Sequence, residues 1–137
     1  MTVATTQQDI ERVYRRWDEA LGNKDLEASL SLYADDATIE SPLVRHLLGT
    51  SEGIVRGKDA LRAFITKVFQ TNPPRRKRFK QGVFTDGRVL TWEYPRATPD
   101  GDQMDLVEVM EIEDGLIRRH RVYWGWYALK VQVLKDD

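Results

Sequence analysis

The feature that most constrains the fold is an Asp-Gly pair at positions 114–115, flanked by two runs of alternating apolar residues. A two-residue Asp-Gly loop between such runs is the strongest short-range signal for a β-hairpin. In the first run, apolar side chains recur at every second position and share one face of a strand. These side chains are Met104, Leu106, Met110 and Ile112. The sequence therefore predicts a hairpin over about residues 104–127.

A carboxyl group and an imidazole interrupt the apolar faces of this hairpin. Glu108 lies in the middle of the first apolar series. His120 continues the alternating series of the second strand, which consists of Val122, Trp124 and Trp126. A carboxylate on a core-facing stripe costs free energy unless it is paired, hydrogen-bonded or protonated. The two side chains are therefore candidate acid–base groups, and they would titrate as a coupled pair if they shared a face.

The register of the hairpin leaves two possible partners for Glu108. With a plain two-residue loop, Glu108 lies opposite Arg121. The tryptophans are at even positions and Ile117 is at an odd one, so they would point to opposite faces of the sheet. One extra residue in a β-bulge between Arg118 and Arg121 reverses the faces and brings His120 onto the face of Glu108. We favour the bulge because the bulk of the tryptophans is best buried. The alternative is a cross-strand ion pair between Glu108 and Arg121.

Amphipathic segments dominate the first half of the chain. Apolar residues at helical spacing predict helices over about residues 7–21 and 57–70. A short helix between them would carry Leu26, Leu30 and Tyr33 on one side. Residues 35–36 are interpreted as a turn, and residues 37–41 as a short strand that Pro42 stops. Residues 43–55 are predicted to form an irregular binding loop.

The remaining segments complete the predicted architecture. Residues 72–74 would end the third helix, and strands are expected at about 77–84 and 88–97, joined at Asp86-Gly87. Residues 99–101 form the next turn, and residues 131–137 form a charged tail. Helices that come first and strands that follow imply an α+β fold. We predict one domain over residues 1–137, with a cone-shaped, curved, mixed but mostly antiparallel sheet wrapped around three N-terminal helices.

Composition and charge exclude several classes of function. There is no cysteine, so thiol catalysis and cysteine metal sites are excluded, and the two histidines, His46 and His120, lack a metal-ligand spacing. We therefore expect no metal and no cofactor. The net charge is −1, so a nucleic-acid or membrane partner is not expected, and we interpret the basic cluster at residues 75–78 as protection of a strand edge. No apolar run is long enough to span a bilayer and no signal peptide is evident, which predicts a cytoplasmic protein.

Four segments carry a resemblance to a known group of proteins. They read LYADDATIESP at 32–42, GKDAL at 57–61, DGLI at 114–117 and VYW at 122–124. These segments resemble the nuclear transport factor 2-like superfamily, in its SnoaL-like and ketosteroid-isomerase-like branch. The resemblance implies an α+β cone with a deep apolar pocket, commonly a homodimer. It is specific for the fold and not for a reaction, because this fold hosts isomerases, cyclases, hydrolases, dehydratases and non-catalytic binders.

The isomerase branch implies functional positions that can be compared one at a time. Its general base precedes the proline of the short-strand motif, where this chain has Ser41, and its oxyanion-hole tyrosine on the first helix corresponds to Trp17. Its neutral oxyanion-hole acid corresponds to Glu108, and its pocket tryptophan corresponds to Trp124. A serine has no suitable pKa to take a proton from carbon. Classical steroid isomerisation is therefore not expected.

These observations together predict a pocket for a small apolar, polyketide- or steroid-like molecule. The predicted lining is Tyr14, Trp17, Ser41, Phe64, Trp92, Tyr94, Met110, Val122 and Trp124. Three functions remain open. In the first, the chain is an enzyme in which Glu108 and His120 catalyse an isomerisation, cyclisation or hydration. In the second, it is a binder that does not turn its ligand over. In the third, it is a structural dimer with an incidental cavity. A homodimer is expected because Val107, Val109, Tyr123 and Tyr127 would otherwise expose apolar surface.

Overall fold

A six-stranded sheet frames the part of the chain that the computed structural model describes, which is residues 5–71, 76–77, 82–98 and 103–134. The strands are β1 (Tyr33–Glu40), β2 (Ile54–Arg56), β3 (Phe84–Thr85), β4 (Val89–Tyr94), β5 (Leu106–Glu113) and β6 (Leu116–Trp124). They lie in the order β2-β1-β6-β5-β4-β3. Every neighbouring pair is antiparallel except β1 and β6, which are parallel. The sheet is curved and unclosed, so the predicted α+β fold with a mixed, mostly antiparallel sheet is confirmed.

Helices precede the later strands and also follow the last one. They are α1 (Gln7–Gly22), α2 (Leu26–Leu30), α3 (Pro42–Leu48), α4 (Lys58–Gln70) and α5 (Trp126–Leu129), with a π-helical segment at Lys130–Leu134. Thr6 and Asp9 form a reciprocal capping box that begins α1, which matches the predicted start. The predictions of α1 and α4 are confirmed. Among the described residues, four helices rather than three precede β3.

Helix α3 occupies the first part of the loop that we predicted at residues 43–55 and strand β2 begins at its end, so that only residues 49–53 are irregular. The Ser41 side chain accepts a hydrogen bond from the Leu43 backbone N–H (3.2 Å), Pro42 occupies the first turn, and Gly49 ends the helix with a positive φ of 68°. A proline is favoured at this position because its missing N–H has no partner in the first turn anyway. Pro42 therefore both stops β1 and starts α3, and only the first of these roles was predicted.

Strand β1 begins earlier than expected. Tyr33 opens this strand instead of ending α2, and Asp35 and Asp36 lie within the strand and not in a turn. Local propensity disfavours two aspartates in a strand, and both lie in an irregular stretch between Tyr33 and Thr38, which pair with β6 on either side of them. Both carboxylates point to solvent, where they meet Lys58 (3.8 Å) and Arg118 (2.9 Å). The correction matters for function because it moves Tyr33 onto the sheet.

The hairpin between β5 and β6 has the predicted loop and the predicted bulge. Asp114 and Gly115 both have positive φ values, 55° and 75°, as an Asp-Gly hairpin turn requires. Ile112 lies opposite Ile117, but Glu111 lies opposite Arg119, so Arg118 is the extra residue. The bulge lies at the first residue of the interval in which we expected it. One inserted residue reverses the faces of β6 beyond that point.

The C-terminal end of β6 differs from the prediction. The strand ends at Trp124, and Trp126 lies in α5 with 63 % of its surface exposed. The expectation that Trp126 is buried is therefore wrong, although the alternation of the tryptophans correctly predicted a bulge in β6. Gly125 is required at the junction because an added Cβ would lie 2.1 Å from Asp105 Oδ2. The same carboxylate accepts a hydrogen bond from the Ala128 backbone N–H (2.8 Å) and so holds the start of α5.

The core lies between α1, α4 and the inner face of the sheet. Its helical members are Ile10, Val13, Trp17, Leu61, Phe64 and Ile65, and its strand members include Ile39, Leu90, Trp92, Met110 and Ile117. Burial of such side chains contributes roughly 1.5–3 kcal/mol each. Five further predictions lie partly or wholly outside the described residues: the break at 72–74, the basic cluster at 75–78, half of the strand at 77–84, the turn at 99–101 and the end of the tail at 131–137. None of the described helices has the length and apolar character needed to cross a membrane.

Candidate functional site

A buried carboxyl–imidazole pair occupies the inner face of the β5–β6 hairpin. Glu108 is 3 % exposed and His120 is 4 % exposed, and Glu108 Oε2 lies 2.5 Å from His120 Nε2. Arg121 points to the other face, where it bonds Glu111 at 2.5 Å. The favoured partner of Glu108, His120, is therefore the correct one, and the alternative pairing with Arg121 is wrong. The bulge at Arg118 is the physical reason for this arrangement.

Two further side chains extend the pair into a hydrogen-bonded chain. The Tyr33 hydroxyl lies 2.8 Å from His120 Nδ1, and the indole N–H of Trp17 donates to the same hydroxyl at 3.3 Å. Tyr33 comes from β1, which runs beside β6, and Trp17 comes from the buried face of α1. The Trp17 and Tyr33 rings also pack against the imidazole, with centroid distances of 5.7 Å and 6.0 Å. Three separate elements therefore hold His120 in one orientation.

The donors in this chain assign the protons of the dyad. An indole N–H can only donate, so the Tyr33 oxygen accepts from Trp17. The described residues offer the Tyr33 hydroxyl hydrogen no acceptor other than His120 Nδ1. Nδ1 is therefore unprotonated, and Nε2–H donates to Glu108. The imidazole is therefore neutral and donates its Nε2–H to Oε2 of Glu108 in a short hydrogen bond.

Burial keeps Tyr33 in its neutral form. Desolvation of the phenol is the largest effect, and it raises the pKa of Tyr33 above the ordinary value. The hydrogen bond from Trp17 lowers this pKa and offsets part of the increase, whereas the neighbouring carboxylate of Glu108 raises it further. The phenol is therefore a hydrogen-bond donor, as the assignment of Nδ1 requires.

The second oxygen of Glu108 is available for a ligand. Oε2 accepts from His120, but no described residue donates a hydrogen bond to Oε1. Both nitrogens of His120, in contrast, already have partners. A ligand can reach Glu108 without breaking the chain of hydrogen bonds, but it cannot bond His120 without displacing Glu108 or Tyr33. The geometry thus makes Glu108 the group that can contact a ligand, and His120 the group that orients it.

The dyad lines a largely apolar cavity of about 70 Å³. Five of the predicted lining residues border it with Glu108 and His120, namely Trp17, Ser41, Phe64, Val122 and Trp124. The other walls come mainly from Leu21, Ile39, Leu43, Ile65, Val68, Phe69 and Leu106. Sites for drug-sized molecules span about 300–1,000 Å³, so this cavity suits a much smaller ligand.

Four predicted lining residues lie in the packed core and not at the cavity. They are Tyr14, Trp92, Tyr94 and Met110. Trp92 is 1 % exposed and contacts Tyr14, Trp17 and Tyr94 edge to face, at centroid distances of 5.1, 5.3 and 6.4 Å. The predicted face was correct, but these residues lie deeper on it. Alternation along a strand assigns the face of a side chain, and it does not indicate where along that face the packing opens.

Ser41 borders the cavity and also has a structural role. Its oxygen caps α3 through the Leu43 N–H, and its backbone N–H donates to the Gly53 carbonyl at 2.9 Å. The side chain is 4 % exposed. As the cap uses only the oxygen as an acceptor, the hydroxyl hydrogen remains free to donate toward the cavity. Ser41 is therefore a further polar group of the cavity, beside Glu108 and His120.

Sequence reasoning missed three polar residues of the cavity, Ser29, Tyr33 and Arg76. A signal for Tyr33 was present, because Tyr33, Ala37, Ile39 and Ser41 share odd positions and only the exposed Asp35 interrupts their period-two pattern. No local signal identifies Arg76. It lies within a basic cluster, and only the tertiary structure brings it to the cavity.

Comparisons with known proteins agree with this architecture. The profile of a family described as the SnoaL-like domain matches residues 14–120. A SnoaL-like protein of unknown function from Burkholderia thailandensis superposes with a TM-score of 0.71 at 21 % identity, over 90 % of this chain and 99 % of that one. An NTF2-like protein of unknown function from Burkholderia pseudomallei gives 0.73 at 21 % identity, over 91 % and 97 %. TerC, co-crystallised with polyporic acid, gives 0.70 at 15 % identity, over 92 % and 98 %. At these identities, the structural likeness shows the fold alone.

Proposed function

This chain belongs to the SnoaL-like domain family, and we propose that it is an acid–base catalyst that moves a proton on a small organic molecule. One observation carries the proposal. A buried carboxylate, oriented by a fixed imidazole, has one oxygen to which no described residue donates, in an apolar cavity. Titratable groups held in dry cavities are candidates for acid–base catalysis. The fold itself does not argue for a reaction, because it hosts many.

In this proposal, Glu108 is the catalytic residue. Its Oε1 takes a proton from a C–H or O–H bond of the ligand, and the resulting carboxylic acid returns the proton to another atom of the same molecule. The electron pair left on the ligand delocalises into a neighbouring carbonyl and then accepts the returned proton. The net reaction is an isomerisation that consumes no other reactant. Proton transfer by a positioned side chain typically contributes 10²–10⁴-fold to a rate.

His120 and Tyr33 have positioning roles in this mechanism. The Nε2–H of His120 stabilises the ionised carboxylate, and the Tyr33 hydroxyl holds the imidazole in the tautomer that can donate. The Ser41 hydroxyl can donate to a carbonyl oxygen of the ligand, where negative charge would develop. We propose a ligand smaller than the polyketide- or steroid-like molecule expected from the resemblance, because the cavity measures about 70 Å³.

The test is deuterium exchange from D₂O into small carbonyl compounds, with butanone and pyruvate as probes. Wild-type protein should accelerate exchange at the carbon next to the carbonyl, and Glu108→Gln should lower the acceleration about 100-fold or more. The glutamine oxygen can still accept from His120 Nε2–H. Stability, measured by urea unfolding, should therefore change by less than about 1 kcal/mol.

Glu111→Gln is the matched control, because Glu111 lies on the same strand with its carboxylate bonded to Arg121 on the opposite face. This variant should leave the exchange rate unchanged. Exchange that persists in Glu108→Gln would reject Glu108 as the catalytic residue. A Glu108→Gln protein with a large loss of stability would instead indicate a structural carboxylate.

Binding without turnover is the second candidate function. It is favoured by Ser41, which occupies the position of the general base in the isomerase branch but cannot take a proton from carbon. In this chain, the Ser41 side chain caps α3. A wild-type protein that binds the probes saturably in an NMR titration, and does not accelerate exchange of either one, would support this alternative over catalysis.

A further inference from the structure

The cavity contains a cation as well as the dyad. Arg76 borders the same cavity as Glu108 and His120. Its guanidinium carbon lies 5.7 Å from the centroid of the Tyr94 ring, within the range of a cation–π contact. Tyr94 is 2 % exposed, so the ring is part of the packed core. One face of the guanidinium group therefore lies against an apolar surface, where water cannot solvate it fully.

No carboxylate from the described part of the chain forms an ion pair with Arg76. Arg12, Arg56, Arg62, Arg118 and Arg121, in contrast, each meet an aspartate or glutamate within 4.0 Å. Arg76 is half-buried, and the cavity that it borders has mainly apolar walls. A guanidinium in such surroundings gains free energy from an anion that fills the cavity, since a charge-assisted hydrogen bond is stronger where water is excluded.

We infer that the cavity binds a small molecule that carries a carboxylate, with Arg76 as the group that holds the carboxylate. The guanidinium fork matches the two oxygens of a carboxylate, which a single ammonium charge does not. The uncharged part of the ligand would then extend along the apolar wall toward Glu108. This inference rests on the proposed function in taking the Glu108 cavity as the ligand site, and it adds the chemical class of the ligand.

The sign of the charge on each group supports one orientation of the ligand. In the proposed function Glu108 acts as a base and is ionised, so it repels a carboxylate, whereas Arg76 attracts it. A molecule with a single anionic end would therefore place that end at Arg76 and its neutral end at the dyad. The same reasoning predicts that an anionic ligand binds Glu108→Gln more tightly than it binds the wild-type protein.

Propanoate and propanamide test the inference directly, because they share a shape and differ in charge. Binding would be followed by NMR on the indole N–H of Trp17, which lines the cavity. Wild-type protein should bind propanoate about tenfold more tightly than propanamide, or better. Arg76→Gln should reduce this preference to less than about twofold. Arg76→Lys should retain part of it, because it keeps the charge and loses the fork.

Lys77→Gln is the matched control, as it removes the same charge from the next, exposed residue. It should leave the preference for propanoate unchanged. The inference is overturned if wild-type protein binds the acid and the amide equally, if Arg76→Gln keeps the preference, or if Lys77→Gln removes it as fully as Arg76→Gln does. These readings require no turnover. A preference for propanoate in a wild-type protein that accelerates no exchange would support the ligand class and reject the catalytic proposal.

Discussion

Tyr33 is the single residue on which the protonation state of the dyad depends. Its hydroxyl accepts a hydrogen bond from the indole N–H of Trp17 and donates one to His120 Nδ1. Because Nδ1 is then an acceptor, the proton of the imidazole is on Nε2, from which it is donated to Glu108. Phenylalanine at this position would leave both Nδ1 and the indole N–H without this partner. An unsatisfied buried polar group costs about 1–3 kcal/mol. We therefore expect Tyr33→Phe to fold with reduced stability.

The pH dependence of stability follows from the raised pKa of Tyr33. A phenol in the unfolded chain has a pKa of about 10, and the folded state holds the proton more tightly. The stabilisation is fully present below about pH 10 and is lost as pH rises toward the folded pKa. The difference in unfolding free energy between wild type and Tyr33→Phe should thus be constant from about pH 7 to 10 and should fall above about pH 10. A phenolate absorbance change for Tyr33 already complete near pH 10 would contradict this assignment.

At the scale of the element, the bulge in β6 decides which side chains enter the cavity. Arg118 is the inserted residue, and its side chain is outside the core, where it meets Asp36 at 2.9 Å and Glu113 at 3.6 Å. Without it, Arg121 would lie opposite Glu108 and His120 would face the other side of the sheet. One residue of register therefore separates a hydrogen-bonded acid–imidazole pair from a buried arginine–glutamate pair.

Deletion of Arg118 should be strongly destabilising. It either breaks the buried pair of Glu108 and His120, at a cost of about 3–5 kcal/mol, or forces the hairpin into a strained register. Urea unfolding should show the loss, and the Trp17 indole resonance should move because its hydrogen-bonded chain is broken. Arg118→Ala is the control, since it keeps the residue count and removes only exposed ion pairs, worth about 0–1 kcal/mol. Equal stability of the deletion variant and Arg118→Ala would refute the role of the bulge.

At the scale of the whole molecule, apolar surface is concentrated at the end of β6 and in the C-terminal helical segment. Its large side chains are Tyr123, Trp126, Leu129, Val131, Val133 and Leu134, which are 37–63 % exposed. Of the four residues that motivated the expectation of a homodimer, Tyr123 is exposed, and Val107, Val109 and Tyr127 are half-buried. Exposed apolar surface concentrated in one part of a chain is typical of a protein–protein interface. We propose that a second copy of this chain covers it.

Light scattering at micromolar concentration should therefore give the mass of a dimer. Tyr123→Glu places a charge in the patch and should shift the population toward monomer, because an unpaired buried charge opposes association. Phe84→Glu makes the same change at another exposed aromatic ring, on the edge strand β3, and should leave the mass unchanged. A wild-type protein that is monomeric, or two variants that behave alike, would argue against this interface.

Features that depend on neighbouring residues could be predicted from the amino-acid sequence. The apolar stripes of α1 and α4, the Asp114-Gly115 turn and the alternation along β5 are local, and each was predicted within a few residues. The bulge was also accessible, because parity is counted along the chain. Parity together with the expected burial of the tryptophans was therefore enough to identify Glu108 and His120 as partners.

The groups that surround the pair were decided only by the tertiary structure. Tyr33 reaches His120 because β1 runs parallel to β6, and that pairing joins segments 87 residues apart. Arg76 reaches the cavity from a basic cluster in which no pattern separates it from its neighbours. Trp92 and Met110 are in the core, although they alternate along their strands in the same way as Trp124. Periodicity indicates which face of a strand or helix a side chain occupies, whereas a cavity forms where packed elements leave a gap. That position depends on distances between elements, which no local pattern encodes.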